Sequence, residues 1–121
     1  MKILNGWKTG DQELGMDWVL SCVGPGWKDI LVRLINDLEQ LGWNGQLCQV
    51  KEKFGGLRFY INAASDAVWK RIAQAEEESY ETCETCGQPG KLRRIGWWKT
   101  LCDEHAKAEE KDGSVFPEMD C

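Results

Sequence analysis

Four residues with metal-ligand spacing constrain this chain more than any other feature. Cys83-x-x-Cys86 is followed, after fifteen intervening residues, by Cys102-x-x-His105. A CxxC turn brings two thiolates onto one ion, and Gly87 directly after it permits the tight reversal. The second pair is expected at the start of a helix, where side chains three apart share a face. Three soft thiolates and one imidazole suit a closed tetrahedral zinc site, and four protein ligands leave no open position for a substrate. The spacing therefore predicts one structural Zn2+ held by Cys83, Cys86, Cys102 and His105.

The residues around these ligands predict a local fold. KLRRIGWWKTL, between the two pairs, reads as two short strands turning at Gly96. Thr100 and Asp103 form a capping-box-like pair ahead of the last helix, and Asp103 and Glu104 suit its positive end. Knuckle, hairpin and helix in this order describe a treble-clef-like module. Of the other cysteines, Cys22 and Cys48 fall at apolar positions and read as plain core thiols. Cys121 is terminal and reads as incidental.

Upstream, Trp27, Ile30, Leu31, Leu34, Ile35, Leu38 and Leu41 recur at three- and four-residue spacing. This predicts an amphipathic helix over about 26–41, entered through GPGW and ended by Gly42. QLCQVKEKFGGLRFYIN predicts a hairpin turning at Gly55-Gly56. In that register Val50 faces Ile61, Glu52 faces Phe59 and Phe54 faces Leu57, making one apolar face interrupted by Glu52. Lys51, Lys53, Arg58 and Tyr60 make the other face. Residues 65–82 read as a second helix, with Ser65 as N-cap and Val68, Ile72, Ala75 and Ser79 as a buried stripe. Glu76, Glu77 and Glu78 read as its solvated side. In residues 1–24, Trp7, Met16, Trp18, Val19 and Leu20 suggest a short helix around 11–22. The expected architecture is α+β. Residues 1–64 form a helix and hairpin unit, 65–112 a helix plus the zinc module docked through that helix, and 113–121 a tail.

At 121 residues the chain suits one modest core, to which some of its seven tryptophans can contribute large areas. Its net charge of −5 is unevenly spread. Residues 1–90 carry 9 basic and 13 acidic groups, 91–102 carry four basic groups and no acid, and 103–121 carry 2 basic and 7 acidic groups. A short cationic segment thus sits in an acidic protein, which argues against wholesale wrapping of nucleic acid and leaves room for one local contact. No stretch approaches the roughly 18 apolar residues of a membrane span. The N-terminal MKILNGWKTGDQ is too short in apolar run for a signal peptide, which points to a cytoplasmic protein with reduced thiols.

Three further features carry chemistry. Glu52, the acid on the apolar face, reads as a general base or as half of an ion pair with Arg33, Arg58 or Arg71; a bulged register that turns it outward is the third alternative. Arg93, Arg94 and Lys99, interleaved with Trp97 and Trp98, read as a phosphate-and-stacking surface. The alternative is that one Trp packs on the long helix and the basic groups pair with the acidic tail. Nucleophilic catalysis lacks a base, because His105 is the only histidine and the metal takes it.

The strings GPGW, QVKEKFGGLRFY and AEEESYETCETCGQPGKLRRIGWWKTLCDEH, within residues 25–106, resemble a group of short bacterial and phage-encoded proteins of uncharacterised function. The resemblance implies a small α+β unit paired with a zinc module and a phage or prophage origin, and it brings no activity. Three functional readings follow. The first is a non-enzymatic, zinc-stabilised protein that binds a protein partner, such as a host defence or regulatory factor. The second is a nucleic-acid-binding module using residues 91–99. The third is a hydrolase using Glu52.

Overall fold

The computed structural model describes residues 3–5, 13–95 and 97–112. The elements are β1 (Ile3–Asn5), β2 (Glu13–Leu14), α1 (Met16–Ser21), a 3-10 turn (Pro25–Trp27), α2 (Lys28–Gln40), β3 (Gln46–Lys53), β4 (Gly56–Ile61), α3 (Asp66–Ser79), β5 (Lys91–Ile95), β6 (Trp97–Leu101) and α4 (Asp103–Asp112). The fold is α+β with a Cys/His cluster at its C-terminal end. The first four strands form one sheet in the order β2-β1-β3-β4, and β5 and β6 form a second.

The N-terminal segment departs from the expected helix over 11–22. Glu13–Leu14 is a strand, and the helix begins only at Met16, after Gly15 in an extended conformation. Residues 11 and 12, like Trp7, lie outside the described residues. β1 pairs antiparallel with β2 and parallel with β3. Strands of two and three residues are too short to show a period of two, so their pairing is a tertiary property.

α2 follows its amphipathic pattern. Ile30, Leu31, Leu34, Ile35 and Leu38 are buried, and Gly42 at φ 87° ends the helix in the left-handed region. Leu41, past the last turn, is exposed. Trp27 is fully buried, and Trp43 meets Phe59 edge-to-face at 5.8 Å. These two are the only buried indoles among the described residues; Trp18, Trp69, Trp97 and Trp98 are exposed.

α3 is capped by Ser65, whose hydroxyl accepts from Val68 N–H. Val68, Ile72, Ala75 and Ser79 are its buried stripe, as the spacing predicts. The stripe also completes the sheet edge. β4 is an edge strand, and its Leu57 and Phe59 amides point away from β3 toward α3. Ser79 Oγ accepts from Leu57 N–H at 2.9 Å, and the Glu76 carboxylate accepts from Phe59 N–H at 3.1 Å. Buried edge amides need such partners. The expected solvated side is therefore corrected at Glu76. Glu76 braces β4, while Glu77 is exposed and Glu78 pairs with Arg33 at the surface.

The hairpin register differs from expectation. Val50 pairs with Phe59, Glu52 with Leu57 and Lys53 with Gly56, so the turn residues are Phe54 and Gly55. Both have positive φ, 53° and 83°, as a type I′ turn requires. The slip is two residues, so the faces keep their members. Phe54 is the exception: it leaves the apolar face and is exposed in the turn. Packing explains the shift. A Cβ at Gly56 would overlap the Tyr80 ring, so this glycine serves a close approach within β4 rather than the turn. The irregularity in β3 lies between Leu47 and Gln49. Cys48 stands there half-buried, its thiol donating to Asn62 Oδ1 at 3.1 Å, and is not a core thiol. Cys22 is fully buried within the core cluster, as its apolar position predicts, and Cys121 lies outside the described residues.

Candidate metal centre

The knuckle is built by backbone hydrogen bonds. Cys83 N–H donates to Gln88 C=O at 2.8 Å, and Gly87 N–H donates to Cys83 C=O at 2.9 Å. Gly87 sits at φ 82°, where a side chain would be strained. The chain thereby reverses, and Thr82 and Pro89 pair antiparallel. β5 and β6 follow in regular register, from Lys91 opposite Leu101 to Ile95 opposite Trp97. Gly96, the expected turn residue, lies outside the described residues. Ala106 N–H donates to Cys102 C=O at 2.9 Å, so Cys102 opens α4 and His105 follows three residues later on the same face. The capping box does not form. Thr100 belongs to β6 and its hydroxyl donates to Gly55 C=O, while Asp103 pairs with Arg93.

This path brings all four predicted ligands together. One ligand atom from each of Cys83, Cys86, Cys102 and His105 lies within 4.8 Å of all the others. Cys86 and Cys102 sulfurs are 3.8 Å apart, and Cys83 sulfur is 3.6 Å from His105 Nδ1. A tetrahedral zinc site with bonds of about 2.3 Å to sulfur and 2.0–2.1 Å to nitrogen separates sulfurs by about 3.8 Å and sulfur from nitrogen by about 3.6 Å. Cys102 sulfur and His105 Nδ1, at 3.1 Å, are closer than this. The donor set therefore fits one metal ion, with the imidazole bound through Nδ1. Cys83 is buried and Cys86 is exposed, so the cluster opens to solvent on one side.

Local electrostatics already favour a thiolate in the knuckle. Burial pushes the Cys83 thiol up, but backbone N–H groups of Cys102, Cys86 and Thr85 outweigh it and bring the group down to about 6. At Cys86 the Gln88 N–H lowers the thiol, yet desolvation and the neighbouring thiols leave it raised.

The cluster is welded to the larger core. Gly26 N–H donates to Glu84 C=O at 2.8 Å, and Trp27 Nε1 donates to Thr82 C=O at 2.9 Å. A Cβ at Gly24 would strike the Glu84 carbonyl, and one at Gly26 the Cys83 carbonyl. Both glycines of GPGW are therefore a socket for the knuckle, rather than only a sharp entry to α2. On the other side, Glu84 N–H donates to Thr100 C=O, and Thr100 Oγ1 donates to Gly55 C=O at 2.6 Å. A Cβ at Gly55 would run into Leu92. The metal unit thus docks on the GPGW loop and the hairpin turn.

Glu84 is the residue that sequence reading missed. Its Oε2 is buried without a partner, and burial, with Glu52's charge next, pushes the carboxyl up to about 8. A Glu inside a CxxC knuckle carries no mark of burial; the burial comes from the docked loop. Glu52 is half-buried, and its Oε1 accepts from Gly55 N–H at 2.8 Å, bracing the turn. Its proposed cationic partners engage elsewhere. Arg33 pairs with Glu78, Arg71 pairs with Asp37, and Arg58 donates to Tyr80 Oη and Leu57 C=O.

The candidate partner-binding residues divide. Arg93 is committed to Asp103 at 2.8 Å and to Leu101 C=O, and Arg58 is half-buried against Tyr80. Lys51 and Lys99 are half-buried, and Tyr60 is exposed. Arg94, Trp97 and Trp98 are exposed. One indole is expected to pack inward, yet both stay outside: β6 is buried only at its Thr100–Leu101 end.

No helix of the described residues is long and apolar enough to cross a membrane. Compared with known proteins, the chain matches no protein-family model, no curated protein and no solved structure.

Proposed function

We propose that this chain is a non-enzymatic, zinc-stabilised interaction protein whose partner is another protein. The observation that carries the reading is the closure of the cluster. Three thiols and one imidazole close enough to share one metal ion offer four protein ligands, which supports a zinc ion that serves the fold rather than a substrate. The treble-clef-like unit then acts as a frame for the exposed side chains around it. The chain's only histidine is a ligand in this scheme, which leaves no imidazole for acid–base work. Glu52 already accepts the Gly55 amide, which supports a bracing role over that of a general base.

The resemblance of GPGW, KEKFGGLRFY and TLCDEH to short phage-encoded proteins extends the reading to a host defence or regulatory protein as target. Nucleic-acid binding through residues 91–99 is the competing reading. Committing Arg93 to Asp103 removes one of its phosphate contacts. Fluorescence anisotropy separates the two. The protein reading predicts no binding to a mixed oligonucleotide at physiological salt; affinity that falls steeply with added salt contradicts it. Affinity purification from a bacterial lysate should then retain one defined protein through a salt-insensitive contact.

A further inference from the structure

Phe54 suits neither the backbone conformation nor the exposure of its position. It occupies the first turn site of a type I′ hairpin at φ 53°, where Asn, Asp or Gly is favoured and a bulky side chain is strained. It is also 60% exposed, so its ring contributes little to any core. Strain kept at an exposed aromatic points to use rather than to folding.

The ring is held in a defined setting. It meets Trp98 edge-to-face, with centroids 6.1 Å apart and planes at 66°. Lys53 Nζ stands 5.7 Å from the Phe54 centroid, and Arg94 Cζ stands 4.8 Å from that of Trp98. Among the described residues neither Lys53 nor Arg94 pairs with a carboxylate. The two hairpins that supply these groups are locked together by the Thr100–Gly55 hydrogen bond and the close approach of Leu92 to Gly55. The result is a rigid aromatic pair bracketed by two available cations.

The geometry selects among anionic partners. Single-strand binding stacks successive bases on open ring faces along a positively charged groove. Here the rings are far from parallel, and each has one of the chain's own cations near it. Charge adds to the argument. A long polyanion meets the net charge of −5, whereas a short acidic segment meets the local cations, other charges being screened beyond about 8 Å. We propose that Phe54 and Trp98, with Lys53 and Arg94, form the docking site for an acidic peptide segment carrying an apolar anchor. The anchor packs against the two rings, and flanking carboxylates pair with the two cations. This inference rests on the protein-interaction reading and names its surface and partner chemistry.

The test uses the whole 121-residue chain loaded with zinc and a fluorescein-labelled peptide in which Asp and Glu alternate with Leu and Phe. A charge-reversed peptide with Lys and Arg, and an oligothymidylate of equal length, are the controls. Micromolar binding of the acidic peptide alone is expected. Phe54→Asn should weaken it about tenfold while the thermal midpoint holds or rises, because Asn suits the turn and the lost ring was an anchor. A merely structural Phe54 would lose stability instead. Trp98→Thr and Arg94→Glu should weaken binding comparably. Peptide binding indifferent to all three variants overturns this surface and leaves the interaction reading standing. Failure of the wild type to bind the acidic peptide overturns the inference, and oligothymidylate binding that the variants abolish overturns both.

Discussion

In the helix–sheet unit, Trp27, Leu31, Leu34, Leu38, Val50, Leu57 and Phe59 are buried to 1% exposure or less and pack as one cluster. In the C-terminal unit the apolar cluster is Cys83, Leu101 and Ala106, with Cys102 half-buried beside it. The first unit removes enough apolar surface from water to hold itself together. The second does not, since three small or medium side chains cannot offset the ordering of some thirty residues. Its order has to come from the metal and from docking. Metal energy is therefore folding energy in the smaller unit, and the GPGW socket transmits part of that energy to the larger one.

The largest effect should follow metal removal. Strong chelation, or Cys86→Ser, forfeits on the order of 10 kcal/mol of metal-binding free energy at neutral pH. Hydrogen exchange should then lose protection over residues 80–112 and at Gly26, while Leu34, Val50 and Phe59 keep theirs. Uniform loss across both units would break the comparison by making them one cooperative block.

Gly26→Ala should come next. Its Cβ has no room beside the Cys83 carbonyl, the Gly87 amide and the Glu84 carbonyl carbon, so the knuckle must shift. A loss of about 3 kcal/mol is expected, measured by urea unfolding of the zinc-loaded protein. A neutral result would mean that the socket yields and does not couple the units. Ser79→Ala probes the larger unit alone. It strands the Leu57 amide in a buried setting and should cost about 2 kcal/mol with zinc affinity unchanged.

A further effect concerns pH and is spread over several pH units. Glu84 has a folded-state value of about 8 against an ordinary 4.5. Between these values the unfolded chain has released a proton that the folded chain keeps, so stability falls as pH rises from about 4.5 to 8. Glu84→Gln should flatten this decline and leave the protein more stable at pH 8 than the wild type. An unchanged slope would place Glu84 in contact with solvent and loosen the joint.

Legibility in the sequence followed the locality of the cause. The ligand spacing, the α2 stripe and the Ser65 cap each arise within a few residues, and each is readable. The hairpin faces were readable too, since alternation survives an even slip; the register was not, because Tyr80 from a distant segment decides where Gly56 sits. β1 and β2 were illegible for the same reason, their partners lying in β3 and in each other. The cluster's ligands could be named from spacing, but its socket could not. Nothing in GPGW says that the surface it forms meets the Cys83–Glu84 backbone. Ser79 and Glu76 show the limit at the level of function within the fold. Spacing put Ser79 in the buried stripe, whereas its task of satisfying an edge strand requires the strand to be present.

The central claim is that Cys83, Cys86, Cys102 and His105 hold one structural zinc ion. Native mass spectrometry of the intact chain, purified with zinc available and without chelator, tests it most directly. The account predicts a folded charge-state distribution carrying one zinc per chain, with both the metal and the compact distribution lost in Cys102→Ser. A compact, metal-free protein, or a Cys102→Ser variant that keeps its zinc and its fold, would contradict it.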